Sequence, residues 1–190
     1  MSLDPEKIPF GLADIIVGEG SDEIKFDGKN EFQFEGGELT FTPILQDINV
    51  ADFGESVYDQ RITGYEGSVS MSAAQQTIEN LKLAMSYVEE ITDSSSGDAT
   101  GLMDAKIGTS MRSKAQKIRI HPRVMGDDDS MDIVVYKMAS NGEFTRSFAN
   151  EQGNIPIEFT MYPRDNMDAS KPGNFFYVGP NDPNEEEEAA

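Results

Sequence analysis

His121 is the only histidine in a chain of 190 residues, and it sits between Arg119 and Arg123 with Pro122 directly after it. An imidazole can serve as a general base or a metal ligand. Triad chemistry, however, also needs a nucleophile and an orienting carboxylate, and the sequence around His121 has no signature of either. A histidine at the end of a strand is therefore expected. Asp127, Asp128, Asp129 and Asp132 follow Gly126, and their oxygens suit a hard cation such as Ca²⁺. Their spacing lacks the alternate ligands and distal glutamate of a calcium loop, so a solvated acidic turn is expected. Gly18-Glu19-Gly20 lacks the third glycine of a dinucleotide fingerprint, and no Gly-Lys-Ser/Thr phosphate loop occurs. Cysteine is absent, which removes disulfides, thiolate metal sites and cysteine nucleophiles and favours an intracellular product. No enzyme activity, metal or cofactor is expected.

The elements that must position these residues read mostly as strands. Candidates are residues 13–17, 23–26, 31–34, 38–45, 65–71, 117–121, 132–138, 143–149 and 155–162. Several alternate cleanly: Ile155, Ile157, Phe159 and Met161 against Glu158 and Thr160, or Phe144, Arg146 and Phe148 against Thr145 and Ser147. Asn141-Gly142 between two of them predicts a type I′ hairpin, whose turn residues need positive φ. One strong helix is predicted over about 73–90. Ser72 and Gln75 have capping-box spacing, and Ala74, Ile78, Leu81, Met85 and Val88 form a stripe opposite Glu79, Lys82 and Glu89. The run 92–97 ends it, and a weaker helical turn is predicted near 110–115. The ten methionines are scattered among strand and helix positions, as core residues are. The expectation is a mainly β chain, an antiparallel sandwich or barrel with one flanking helix, forming a single domain over 1–165 followed by an extended arm over 166–190.

The net charge is −20. It is unevenly spread: residues 101–125 hold Lys106, Arg112, Lys114, Lys117, Arg119 and Arg123 with a single acid, Asp104. A surface this acidic repels nucleic acid, because tight binding needs cations that displace condensed counterions. The first residues carry acids where a signal peptide carries positive charge, and no apolar run approaches the roughly 20 residues that span a bilayer. A soluble protein without export by that route is expected.

Two stretches are too long for simple connections. Residues 46–63 are rich in Asp, Asn, Gly and Gln yet carry Ile48, Val50, Phe53, Val57 and Tyr58, which reads as a contact loop. From Pro163 onward, prolines at 172, 180 and 183 punctuate the cluster Phe175, Phe176, Tyr177 and Val178 before the glutamates 185–188. Such a segment suits docking on another subunit, with the glutamates solvated.

Residues 54–85 run from a polar turn through an alternating strand (Tyr65, Gly67, Val69, Met71) into the helix. The order Arg61-Ile-Thr-Gly64, then Thr77-Ile-Glu-Asn-Leu81, then Ile155-Pro-Ile-Glu-Phe159 resembles the tail tube (major tail) proteins of long-tailed bacteriophages, over roughly residues 10 to 165. The resemblance implies a structural virion protein of the viral tail, assembled in the host bacterial cytoplasm. Its subunits would form stacked, hexameric rings through which the genome passes. Its partners would be further copies of itself, the tape measure protein and other tail proteins, with DNA touching the lumen only transiently. On this basis residues 47–61, with Ile48, Val50, Phe53, Tyr58 and Arg61, would stack rings. Residues 167–178, with Phe175, Phe176, Tyr177 and Val178, would reach a neighbour. The basic island Lys106, Arg112, Lys114, Lys117 and Arg119 would face an acidic neighbour, and Glu31, Glu35, Glu38 and Glu66 would line the lumen. Relatives of the tube fold, including secretion-system tube, tail terminator and distal tail proteins, stay open, as does an acidic monomeric binding module of β-sandwich type.

Overall fold

A computed structural model describes residues 10–150 and 152–184; glutamates 185–188 lie outside them. The chain is mainly antiparallel β with one flanking helix. The elements are β1 (Ala13–Val17), β2 (Ile24–Phe26), β3 (Gln33–Asn49), β4 (Val57–Ala73), α1 (Ile78–Ala84), β5 (Val88–Thr92), β6 (Ala99–Asp104), β7 (Gln116–Pro122), β8 (Ile133–Ser140), β9 (Ile155–Tyr162) and β10 (Phe176–Val178). The main sheet runs β2-β1-β7-β8-β9-β4-β3, with β10 also paired to β8, and β5-β6 form a separate ribbon. No helix among the described residues is long and apolar enough to cross a membrane.

Alternation decides which face is buried. Val69, Met71 and Ala73 of β4 and Ile155, Ile157, Phe159 and Met161 of β9 point inward, joined by Ile15, Val17, Phe26, Ile118, Val135 and Met138. The sheet curls around this core. Gln33 Nε2, at the start of β3, donates to the carbonyls of Ala13 (2.7 Å) and Phe26 (2.9 Å), bringing the two ends of the sheet together. Gly37 permits that closure, because a Cβ there would stand 2.8 Å from Ile15 Cδ1 and 3.1 Å from the Ser70 carbonyl. The pairing of β3 with β4 slips in register around Glu35–Glu38, so the two predicted strands 31–34 and 38–45 are one strand with a bulge at Gly36-Gly37.

Three expectations are corrected. The helix covers Ile78–Ala84 only, capped by Thr77, whose hydroxyl accepts from Asn80 N at 3.1 Å. Ser72 cannot cap, since it still pairs with Pro156 in the sheet. Of the predicted stripe Ala74, Ile78, Leu81, Met85 and Val88, Leu81 packs against the core from the helix, where it is joined by Leu83 and Ala84, which lie off that stripe. Ser140 fixes the helix end: its hydroxyl donates to the Ala84 carbonyl at 2.7 Å, and its own carbonyl accepts from Ser86 N at 3.1 Å. The chain then turns into β5, and the run 92–97 is the turn of the β5-β6 hairpin, closed by Gly97 N donating to the Asp93 carbonyl (2.8 Å).

The second correction concerns Asn141-Gly142. Neither residue takes a positive φ, and 143–149 is not a strand. Asn141 instead spends its side chain on β9, accepting from Thr160 Oγ1 (2.8 Å) and donating to Tyr162 Oη (3.1 Å). β8 and β9 pair directly, Lys137 opposite Tyr162, across a wide connection over 141–154. Third, residues 46–63 are not an irregular loop. They are the distal part of a β3-β4 hairpin whose ladder continues through Leu45↔Ile62, Gln46↔Arg61 and Asp47↔Gln60 to Asn49↔Val57. The helical turn predicted near 110–115 is a short 3₁₀ turn, Met111–Lys114.

Candidate assembly surfaces

The distal β3-β4 hairpin carries apolar side chains into solvent. Leu45 and Ile62 face each other across the ladder, both exposed, and at the tip Phe53 stacks on Tyr58 with ring centroids 5.7 Å apart. Phe53 is 62 % exposed and Tyr58 66 %. Ile48 and Val50 are half-buried, and Arg61 lies exposed 3.8 Å from Asp59. The stack covers part of each ring, but most of both remains in water, where burial of each would be worth about 2 kcal/mol.

The hairpin continues into the outer face of the sheet. Its rows are Thr42 beside Glu66; Thr40, Ser68 and Thr160; Glu38, Ser70 and Glu158; and Glu35, Ser72 and Pro156. Hydroxyls and carboxylates dominate, and these rows hold no base. Glu35, Glu38, Glu143 and Glu158 border an open depression of about 530 Å³ on this face. Glu35, Glu38 and Glu66 thus share one face, whereas Glu31 stands apart and accepts from buried Asn80 Nδ2 at 3.2 Å. Among the described residues no group of three or more His, Cys, Asp or Glu side chains is placed to hold a metal.

The C-terminal segment folds back on its own sheet. Phe176, Tyr177 and Val178 pair with Val135, Val134 and Ile133, taking over the side of β8 that β9 leaves open. Phe176 stacks on Phe41 at 3.9 Å, Phe175 leans on Tyr65 at 5.4 Å, and Tyr177 packs against Tyr136 at 5.5 Å. Tyr136 Oη donates to Asp182 at 2.6 Å and accepts from Asn184 Nδ2 at 3.2 Å. Burial and the Asp182 carboxylate together push the Tyr136 phenol up to about 12. Val178 keeps its side chain exposed.

Within the basic island, Arg112 bonds the Pro163 and Arg164 carbonyls and Asp165, Lys114 pairs with Glu89 at 2.6 Å, Lys117 with Glu19 at 2.9 Å, and Arg123 with Asp14. Arg119 Nε donates to Asp132 Oδ2 at 2.5 Å. Lys106 alone of the six has no ion pair among the described residues, and it is exposed. These cations tie strands and turns of one chain together before any neighbour is met.

Asp132 corrects the picture of a solvated acidic turn. It is buried, held by Arg119 on one oxygen and by His121 Nδ1 (2.5 Å) on the other. His121 Nε2 points at the Gly126 carbonyl, 2.8 Å away. Both partners of the ring are acceptors, so both ring nitrogens must donate and the bonded imidazole is the cation. Burial pushes its pKa down, but the bonds to Asp132 and Gly126 outweigh that, and the net shift is up. The only sequence signal was the pairing of a lone histidine with an acid eleven residues on, which has no fixed spacing rule. A raised pKa stabilises the fold fully below the unfolded value of about 6.5, and the contribution is lost as pH rises through the higher folded value. The melting-temperature gap between wild type and His121→Gln should therefore be widest near about pH 6 and narrow by about pH 9. A gap independent of pH would contradict the imidazolium assignment.

No protein-family model matches the chain, and a search of curated proteins finds no match either.

Proposed function

We propose that this protein is the subunit of a self-assembling tube, a structural virion protein whose rings stack into a phage tail with an acidic lumen. The observation that carries the proposal is the long β3-β4 hairpin, which holds exposed Leu45, Phe53, Tyr58 and Ile62 away from the core. Apolar side chains on an ordered ribbon are wasted in a monomer and useful at a contact between subunits. The outer face of β3, β4 and β9 supports the lumen assignment. Carboxylates without bases would let a phosphate backbone slide past without adhering. The tube needs no cofactor and no catalysis. Its partners are copies of the same chain, with tape measure and other tail proteins at its ends. Related tube-fold tail and secretion-system proteins would share this surface chemistry.

A monomeric acidic binding module is favoured by one observation, the closure of the C-terminal segment and the basic island on their own chain. Sedimentation velocity over a concentration series separates the two. The tube subunit should show mass rising with concentration and no single limiting small species, whereas a module sediments as a monomer throughout.

A further inference from the structure

One segment has the sequence of a strand and no strand partner among the described residues. Glu143–Ala149, EFTRSFA, alternates Phe144, Arg146 and Phe148 with Thr145 and Ser147, and its Phe and Thr content favours strand. In the fold it takes no regular structure, and none of its backbone groups finds a backbone partner among the described residues. Phe144 packs against the core and anchors one end. Beyond it Phe148 is 85 % exposed, with the Arg146 guanidinium 4.7 Å from its ring centroid. Exposed backbone can be satisfied by water, but a β-prone aromatic segment left unpaired on an anchored connection is an edge-pairing element without an edge.

The complementary vacancy is the free edge of β3. Of the sheet edges among the described residues it is the longest, since β2 at the other end spans three residues. Residues 38–49 of that edge have no backbone partner among the described residues on the side away from β4. Pro43 lies within it, a residue tolerated in sheets at edges. β3 carries Glu35, Glu38 and Asp47 and no base, and the segment brings one cation, Arg146, near its centre, with its one acid, Glu143, at its first position. We infer that Glu143–Ala149 of one copy adds as a strand to the free edge of β3 of a second copy. The two surfaces differ, so the contact is head-to-tail and propagates around a ring when the rotation closes. The choice of a second copy rests on the tube reading; the pairing rests on the two unmet backbone edges.

The absence of cysteine allows a clean test. Thr145→Cys protein is mixed with copies carrying Thr40→Cys, Thr42→Cys or Gln46→Cys, oxidised, and resolved on non-reducing gels with mass spectrometry. At least one mixture should yield the mixed dimer well above either homodimer. In parallel, Ser147→Pro removes one N–H from a backbone that has no backbone partner among the described residues. It should keep the wild-type melting temperature and weaken self-association at least about tenfold. Absence of every mixed dimer, or a Ser147→Pro protein that associates as wild type does, overturns the inference, as does a wild-type protein that stays monomeric at all concentrations. Cross-linked strands without tubes would uphold the pairing and sink the tube reading. Tubes with neither effect would do the reverse.

Discussion

Truncation after Pro163 should leave a protein that no longer melts cooperatively. The removed segment supplies β10, which completes one side of β8, and the rings of Phe175 and Phe176, which cover Tyr65 and Phe41. Its loss would expose Phe41, open the ladder along Ile133–Val135 and strip the Asp182 and Asn184 bonds from Tyr136. Truncating one aromatic of this kind typically costs about 3 kcal/mol, and two such rings with a strand approach the 5–15 kcal/mol that holds a domain together. The single substitution Phe176→Ala should already lower the melting temperature by about 6 to 12 °C for a chain of this size. Circular dichroism melts and soluble yield would show both effects. A truncated protein melting within a few degrees of wild type would mean that the segment is an independent arm, as the sequence alone suggested.

The second large effect is on assembly and leaves the fold intact. Phe53→Ser combined with Tyr58→Ser removes the stacked tip without touching the core, since both rings are exposed and lie beyond the body of the sheet. If the tip docks on a neighbouring ring, losing about 1.5 kcal/mol at each position raises the concentration needed for assembly about a hundredfold per contact. The melting temperature of the monomer should stay close to wild type. Unchanged assembly by light scattering would remove the tip from the stacking contact.

The strands that were legible in the sequence are those with one wet and one dry face. Residues 13–17 and 155–162 have in the sequence the bounds the fold shows; along 155–162 alternation and burial agree, with Ile155, Ile157, Phe159 and Met161 buried, whereas 13–17 is marked by its apolar run Ile15-Ile16-Val17. The helix was read too long because Met85 and Val88 continue a three-to-four spacing by accident: Val88 is buried as the first residue of a strand. The hairpin was read as a loop for the opposite reason. Both its faces are wet, bulges near Ile44 and Ile48 break the alternation, and its polar composition resembles a connection. Asn141-Gly142 has the residues of a tight turn, but the pull of Thr160 and Tyr162 on the Asn141 side chain, together with the direct β8-β9 pairing, overrode them. Of the assembly surfaces, the acidic face was partly legible. Glu38 and Glu66 share a face because strand parity fixes it, Glu35 joins them only through the bulge at Gly36-Gly37, and Glu31 precedes the strand and turns toward Asn80. The docking of the aromatic C-terminal cluster on its own chain depends on the open side of β8, a vacancy that only the assembled sheet defines.

The measurement that bears most directly on the central claim is negative-stain electron microscopy of the purified full chain across a series of concentrations and salt. Salt screens the repulsion between copies that each carry −20, so assembly should be favoured as ionic strength rises. Rings and hollow stacked tubes are the expected result. Uniform small particles of monomer size under every condition would contradict it and leave an acidic binding module in its place.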